Sequence, residues 1–418
     1  MSPNKRLSLR VNFTWAFVGN LIYAACQWGM VTVLAKLGSA QKVGQYSIGL
    51  AVTAPVIMFA DLQLRAVQAT DAQERYTFTD YLGLRLVMTL MAVLVIGGIL
   101  VASDYSAETS GVIFALGLAK AFEAMSDIIY GVLQKHERLD RMATSLVLRG
   151  ILSVIVLALV FWLTHSVLWA SIGVALSWLL VMVFYDIRSA RQLEPFRLVV
   201  RKEALWALAK HSLPLGIVMM LISLNSNIPR YIIERRWGED VLGYFSASAY
   251  LMVVGSMVVR AMGQSAAFRL SKYAADRDTR AFSLLLGKLV GIGALLGSAA
   301  VVVASVLGRW VLTFLYRSDY ADYVGLLVWV MVAAGLGYIA SFLGYGMTAL
   351  HRFKEQVPLF ILVVLSTTVA CAFFIPAFGV MGAAYGMVIS ASVNLIGSLW
   401  VNIRGVRQIT REKALDVE

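Results

Sequence analysis

The sequence predicts an all-α integral membrane protein with about twelve transmembrane helices in two six-helix lobes around a central cavity. Of its 418 residues, 60% are hydrophobic and only 14% are charged, whereas soluble domains average about 25% charged residues. Apolar runs close to the roughly 20 residues of a spanning helix recur from Val11 to Arg404, with short polar breaks. Basic residues cluster in alternate breaks, as the positive-inside rule expects.

The predicted spans form two sets of six. The first set is 12–35, 43–62, 81–102, 110–134, 146–163 and 167–185. The second set is 211–233, 241–266, 284–307, 323–349, 356–375 and 380–401. Because the basic breaks face the cytoplasm, we expect a multi-pass protein with both termini cytoplasmic.

A highly charged segment separates the two sets. We therefore predict an N-terminal lobe at 1–190, a cytoplasmic linker at 191–210 and a C-terminal lobe at 211–418. The two lobes contain a similar short segment. Gly38 to Tyr46 (GSAQKVGQY) joins the first helix pair, and Gly238 to Phe245 (GEDVLGYF) joins the seventh and eighth helices. With one deletion allowed, both segments read glycine, polar residues, an aliphatic residue, glycine, any residue and an aromatic residue. Two such repeats predict a cavity between lobes, the arrangement that transporters use for alternating access.

Several function classes are not expected. The net charge of +12 is gathered in loops, without the basic stripe and interleaved aromatics of a nucleic-acid-binding protein. No G-x-x-x-x-G-K-[ST] phosphate loop occurs. Cys26 and Cys371 have no metal-ligand spacing, and the four histidines are scattered singly. We therefore expect no catalytic residue, no metal and no cofactor, and a protein that is not an enzyme.

Charges inside the fourth span are candidate functional residues, because an ion in the bilayer costs at least ~2.5 kcal/mol. Lys120, Glu123 and Asp127 stand at i, i+3 and i+7, so they share one helix face. Two interpretations stay open, an ion-paired contact between helices and the lining of a solvated cavity. Under the second, Glu123 and Asp127 can couple transport to an ion.

In the seventh span, polar residues interrupt an apolar run. Pro229 removes a backbone hydrogen bond and predicts a kink. Arg230 is a permanent cation whose planar fork can bind phosphate oxygens bidentately, and Asn225 and Asn227 are candidates to bind substrate beside it. The alternative is a local ion pair between Arg230 and Glu234 at i+4.

Arg260 lies near the cytoplasmic end of the eighth span. Arg65 and Arg85 flank the second loop. All three side chains are long enough to extend to the membrane interface, and we favour that interpretation for them.

Several segments have a distinctive sequence. They are LQLRAVQATD at 62–71, KAFEAMSDIIYGVLQ at 120–134, SNIPRY at 226–231, LGYFSASAYL at 242–251 and, less specific, YRSDYA at 316–321 and FGVMGAAYG at 378–386. Together they resemble the oligosaccharide flippase (O-antigen and polysaccharide transporter) family of the multidrug/oligosaccharidyl-lipid/polysaccharide exporter superfamily. The resemblance covers nearly the whole chain.

The resemblance implies a flippase that moves a polyprenyl-diphosphate-linked oligosaccharide, an O-antigen or exopolysaccharide repeat unit, from the cytoplasmic to the outer leaflet by alternating access. It implies a place in the bacterial cytoplasmic (inner) membrane and a role in lipopolysaccharide or other polysaccharide biosynthesis. Membrane lipids and a polysaccharide polymerase are the candidate partners. Cationic cavity residues of this family are expected to receive the anionic carrier, which here implies Arg230 and, secondarily, Lys120 and Arg260.

Two alternatives stand beside this function, a related transporter and a membrane enzyme. A multidrug/organic-cation antiporter of the multidrug and toxin extrusion type shares the architecture, but we expect it to place unpaired carboxylates in its cavity. An oligosaccharide polymerase or ligase would have a sizeable external loop with catalytic groups, whereas the external connections predicted here are short.

We predict that the charged segment at 186–210 lies in the cytoplasm, because basic residues are retained there. Reporter fusions test this orientation. A cytoplasm-active reporter should work at residue 195, and a periplasm-active reporter should work after residue 40, in the first external connection. Periplasmic activity at residue 195 would contradict the twelve-span topology.

Overall fold

The structure, a computed structural model, describes residues 9–71, 75–194 and 201–415. In those ranges the chain is helical and contains no β-strand. A π-helical turn, Met182–Asp186, joins α7 to α8, and a 3-10 turn, Ser318–Tyr323, precedes α12. The helices are α1 Leu9–Leu37, α2 Ala40–Asp61, α3 Leu64–Thr70, α4 Phe78–Val101, α5 Ala107–Lys135, α6 Leu139–Thr164, α7 Val167–Val181, α8 Ile187–Arg191, α9 Lys202–Tyr250, α10 Met252–Ala275, α11 Thr279–Leu315, α12 Val324–Ala349, α13 Phe353–Phe378 and α14 Val380–Leu415.

The predicted membrane fold is confirmed. Ten helical segments of the described chain are long and apolar enough to cross a membrane. One of them, Lys202–Ala275, has 74 residues, enough for two crossings of roughly 20 residues each. Outside these ten segments, α5 is a further helix of 29 residues, and it carries the predicted polar stripe. The structure is therefore compatible with about twelve spans.

The break in α9 lies at Gly238. Its φ of 79° and ψ of −176° depart from helical values, and a positive φ of this kind is accessible to glycine because it has no Cβ. The turn between the predicted seventh and eighth spans is therefore at Gly238. The kink expected at Pro229 brings no departure from helical dihedral angles within α9.

The chain divides into two compact units, Met1–Ser223 and Leu224–Glu418, and the division falls inside α9. In the first unit, α5 packs against α2, α3, α4 and α7, while α1 packs on α6 and α6 on α7. Of the predicted linker, 202–210 is the first part of α9, and 195–200 lies outside the described residues.

In the second unit, α12 is the central helix. It packs against α10, α11 and α14, and α13 packs on α14. Large apolar side chains cover the outer faces of both units, including Leu94 on α4 and Val306 on α11, each 74% exposed. Such faces are unfavourable in water and neutral in lipid tails, so we assign them to the lipid contact.

A buried ion pair lies at the core of the first unit. Arg149 Nη2 on α6 donates to Asp186 Oδ2 at 3.2 Å, and both side chains are fully buried. The guanidinium lies 5.5 Å from the ring centroid of Trp178 and 5.8 Å from that of Tyr130. Asp186 ends the π-helical turn. Asp186 stands at the start of the charged segment 186–210, and its side chain packs inside the first unit.

We predict that Arg149→Met lowers stability by about 3–5 kcal/mol, because it leaves Asp186 buried without its partner. The unfolding temperature of the detergent-solubilised protein measures this loss. Combining Arg149→Met with Asp186→Leu should recover most of it, since no lone charge then remains. Arg188→Met is the control, because Arg188 is exposed. An unchanged unfolding temperature for Arg149→Met would contradict the prediction.

Candidate functional site

The second unit contains a cavity of about 330 Å³, within the size range of small-molecule sites. Residues of five helices, α9, α10, α12, α13 and α14, line it. Among the described residues of its wall, Arg230 carries a charge and no aspartate or glutamate is present. The lining is Asn225, Ser226, Arg230, Phe245, Ala249, Met252, Ala333, Gly337, Thr367, Met387, Ser390, Ala391 and Asn394.

Contacts within α9 orient the guanidinium of Arg230. Its Nη1 donates to the carbonyl oxygen of Ser226 at 2.6 Å and to Asn227 Oδ1 at 3.2 Å. The guanidinium carbon lies 5.9 Å from the ring centroid of Phe245, within cation–π range. In the described part of the chain, Nε and Nη2 make no hydrogen bond. These two nitrogens can therefore bind a ligand.

The alternative ion pair between Arg230 and Glu234 does not form. Throughout residues 9–71, 75–194 and 201–415, Arg230 has no carboxylate within the 4.0 Å of a salt bridge. Its positive charge is thus not compensated by these residues. A cation within an apolar span requires water or an anion, and the cavity provides space for either.

A hydrogen-bond network fixes the wall near Asn225. Asn225 Oδ1 lies 2.5 Å from the hydroxyl of Thr367 on α13 and 3.1 Å from that of Ser390 on α14. The two hydroxyl oxygens are 2.5 Å apart. This network, which we name the Asn225 cluster, connects three helices of the second unit. Asn225 both lines the cavity and holds its wall together.

Two other candidate residues, Asn227 and Arg260, are absent from the described lining of the cavity. Asn227 is buried, and its side chain accepts from Arg230 rather than lining the cavity. Arg260 is exposed on α10 and is absent from the described lining. The substrate-binding roles of both residues stay predictions. The observed contact of Asn227 helps to hold the guanidinium of Arg230 in place.

The polar stripe of α5 lies in the first unit and is ion-paired. Lys120 Nζ donates to Glu123 Oε2 at 2.7 Å. Asp127 accepts from Arg65 at 3.2 Å and from Arg85 at 3.3 Å. The exposed fractions of Lys120, Glu123 and Asp127 are 25%, 25% and 31%. The charges of the stripe are therefore paired and partly accessible, and the lining of a solvated cavity stays a prediction.

Further partners complete this network. The hydroxyl of Tyr23 on α1 donates to Glu123, and Arg85 also pairs with Asp61. Each charge of the stripe thus has an opposite partner, unlike Arg230. The proposed roles of Glu123 and Asp127 in ion coupling stay predictions. Among the described residues, no group of three or more His, Cys, Asp and Glu side chains could hold a metal ion.

The sequence did not point to Thr367, Ser390 or Phe245. Hydroxyls are common in membrane helices, where they bond to the backbone one turn earlier, so no local pattern distinguishes Thr367 or Ser390. Arg149 was also missed, although a lone arginine within the apolar run LVLRGILSV was a usable signal.

Two sequence comparisons agree with each other. Residues 9–274 match the model of a family described as polysaccharide biosynthesis protein. The capsular polysaccharide biosynthesis protein CapF of Staphylococcus aureus is 27% identical over 395 residues, which cover 92% of this chain and 97% of that protein.

Solved structures of similar fold are transporters of the MOP superfamily. An inward-facing multidrug resistance MATE family transporter matches with a TM-score of 0.74 over 96% of this chain and 99% of its own. An outward-facing one matches with 0.63 over 95% of each chain. A MOP superfamily transporter from Pyrococcus furiosus matches with 0.64 over 96% and 95%. All three are 14% identical to this chain, so the likeness concerns the fold.

Proposed function

We propose, from the premise that the chain belongs to the polysaccharide biosynthesis protein family, that it is a flippase for a polyprenyl-diphosphate-linked oligosaccharide. It carries an O-antigen or exopolysaccharide repeat unit from the cytoplasmic to the outer leaflet by alternating access. Family membership confirms the resemblance found in the sequence. Family and fold together point to a polysaccharide-related membrane transporter rather than a catalyst.

The observation that carries the proposal is the uncompensated charge of Arg230 in a cavity without carboxylates among its described lining. A diphosphate is anionic and offers only acceptor oxygens to its surroundings when ionised. A guanidinium binds such oxygens through short, charge-assisted hydrogen bonds. Two nitrogens of Arg230 remain available for this purpose, so the cavity is suited to the head group of the carrier lipid.

The rest of the wall suits the sugar next to the diphosphate. A sugar hydroxyl without a partner in hydrocarbon costs several kcal/mol. The amide of Asn394 and the hydroxyl of Ser226 supply polar partners in the lining. The prenyl chain needs no such partner and stays in the lipid.

The alternative function, export of organic cations, is supported by fold alone, because the MATE structures are only 14% identical. An organic cation would meet the positive charge of Arg230. In the first unit, Glu123 and Asp127 are already paired with cations. An anionic cargo therefore agrees better with the charges of both units.

The proposed setting is the bacterial cytoplasmic membrane, with both termini in the cytoplasm. Basic residues in alternate breaks support that orientation. In this setting the cargo reaches the outer leaflet, where a polysaccharide polymerase is the proposed partner that consumes it. The outer apolar faces contact the membrane lipids.

We expect Arg230→Ala to reduce glycan export about ten- to hundredfold, because a hydrogen bond to a charged group contributes about 1.5–3 kcal/mol. Arg230→Lys should restore part of the activity, since it keeps the charge and loses the fork. Transfer of a fluorescent lipid-linked glycan in proteoliposomes measures the rate. Arg235→Ala, an exposed arginine of the same helix outside the described lining, is the control. Full activity of a well-folded Arg230→Ala protein would remove Arg230 from the mechanism.

We expect Gly337→Phe to block transport by filling the cavity. A Cβ added at Gly337 meets no heavy atom within 4 Å, so a side chain can begin there without a clash at its first atom. Gly344→Phe is the matched control, because Gly344 on the same helix is equally open and lies outside the described lining. The same proteoliposome assay compares the two variants. Equal rates would show that the cargo does not pass through this cavity.

A further inference from the structure

We propose that Thr367 and Ser390 are positioning residues that orient the amide of Asn225, so that Asn225 presents N–H donors to the diphosphate beside Arg230. The inference deepens the proposed function and rests on it, because it concerns the same cavity and cargo. It gives the uncharged hydroxyls of Thr367 and Ser390 a role in binding the anionic cargo.

The geometry of the Asn225 cluster gives the first step. Asn225 Oδ1 faces both hydroxyls, at 2.5 Å from Thr367 and 3.1 Å from Ser390. Each hydroxyl has one proton. Ser390 donates its proton to Oδ1, and the proton of Thr367 has three acceptors within reach, namely Oδ1, the hydroxyl oxygen of Ser390 and the carbonyl oxygen of Val363 at 2.8 Å. Thr367 and Ser390 are 1% and 4% exposed, so water does not compete for these bonds.

The orientation of the amide is the second step. With Oδ1 engaged, the two N–H donors of Asn225 Nδ2 remain, and they make no hydrogen bond within the described residues. Asn225 lines the cavity, so these donors are available to a ligand there. An amide turned the other way would present its carbonyl oxygen, which repels the oxygens of a phosphate.

The charge of Arg230 and the fixed direction of the Asn225 donors act on the same ligand. Arg230 has two free nitrogens in the same cavity, and its Nη1 is held by Ser226 and Asn227. Arg230 supplies the attraction for an anion, while Asn225 adds donors of fixed direction. Such a wall favours a group that only accepts hydrogen bonds, as an ionised diphosphate does, over a neutral alcohol that also donates.

Binding of farnesyl diphosphate to the purified full-length protein in detergent tests the inference. Thr367→Val should weaken binding about tenfold, and Ser390→Ala should also weaken it. Thr367→Ser keeps the hydroxyl and should bind as the unaltered protein does. In an Asn225→Ala background, Thr367→Val should change the affinity less than twofold, because the amide that it positions is gone. Equal losses in both backgrounds would overturn the positioning role.

Controls separate positioning from general damage. Thr368→Val is the matched variant, since Thr368 is the exposed neighbour whose hydroxyl bonds to the carbonyl of Val364 at 2.8 Å. It should leave the affinity unchanged. Farnesol, which lacks the diphosphate, should bind Thr367→Val and the unaltered protein equally. A parallel loss of farnesol binding would mean that Thr367 only supports the cavity wall, and the inference would fail.

The outcome for Arg230→Ala distinguishes the two proposals. If Arg230→Ala weakens farnesyl diphosphate binding and Thr367→Val does not, the cargo site stands and the positioning role is wrong. If the unaltered protein does not bind farnesyl diphosphate, or Arg230→Ala binds it equally well, the proposed cargo site fails and the positioning role fails with it.

Discussion

Hydrocarbon cannot solvate a charge, and this constraint governs both units of the protein. Each ionised side chain within a span must find an opposite charge, a hydrogen-bonding partner or water. The first unit meets the constraint by pairing. Arg149 and Asp186 form a fully buried pair at its core, and the charges of the α5 stripe each have a partner. The helix packing of this unit depends on these pairs, because one missing partner leaves a costly buried ion.

The second unit meets the same constraint in another way. Arg230 has hydrogen bonds to Ser226 and Asn227 but no carboxylate among the described residues, and it borders a cavity of about 330 Å³. A cation in such a place is stable when water or an anionic ligand accompanies it. The contrast between a neutral, paired network and one uncompensated cation is the physical basis for assigning ligand binding to the second unit.

Much of the architecture was predictable from the sequence because the signals are local. Long apolar runs, short polar breaks and the placement of basic residues require no knowledge of helix packing, so most spans and the all-α class were correct. The helices extend beyond the predicted spans, as α11 does at Thr279–Leu315 against 284–307, because a helix can continue past the hydrocarbon layer. The burial of Asp186 was not predicted for a related reason, since hydropathy does not reveal a charge that is neutralised by a distant partner.

The sequence by itself determined the membrane class, the family resemblance and the candidacy of Arg230, because each depends on residue type and nearby spacing. The tertiary structure decided which candidates share a site. It left Glu234 unpaired with Arg230, and it brought Thr367 and Ser390 to Asn225 across 142 and 165 residues of chain. Contacts between residues so far apart in the chain depend on how the helices pack within a unit. A hydropathy pattern repeats within each helix, so it does not predict which helix faces are in contact.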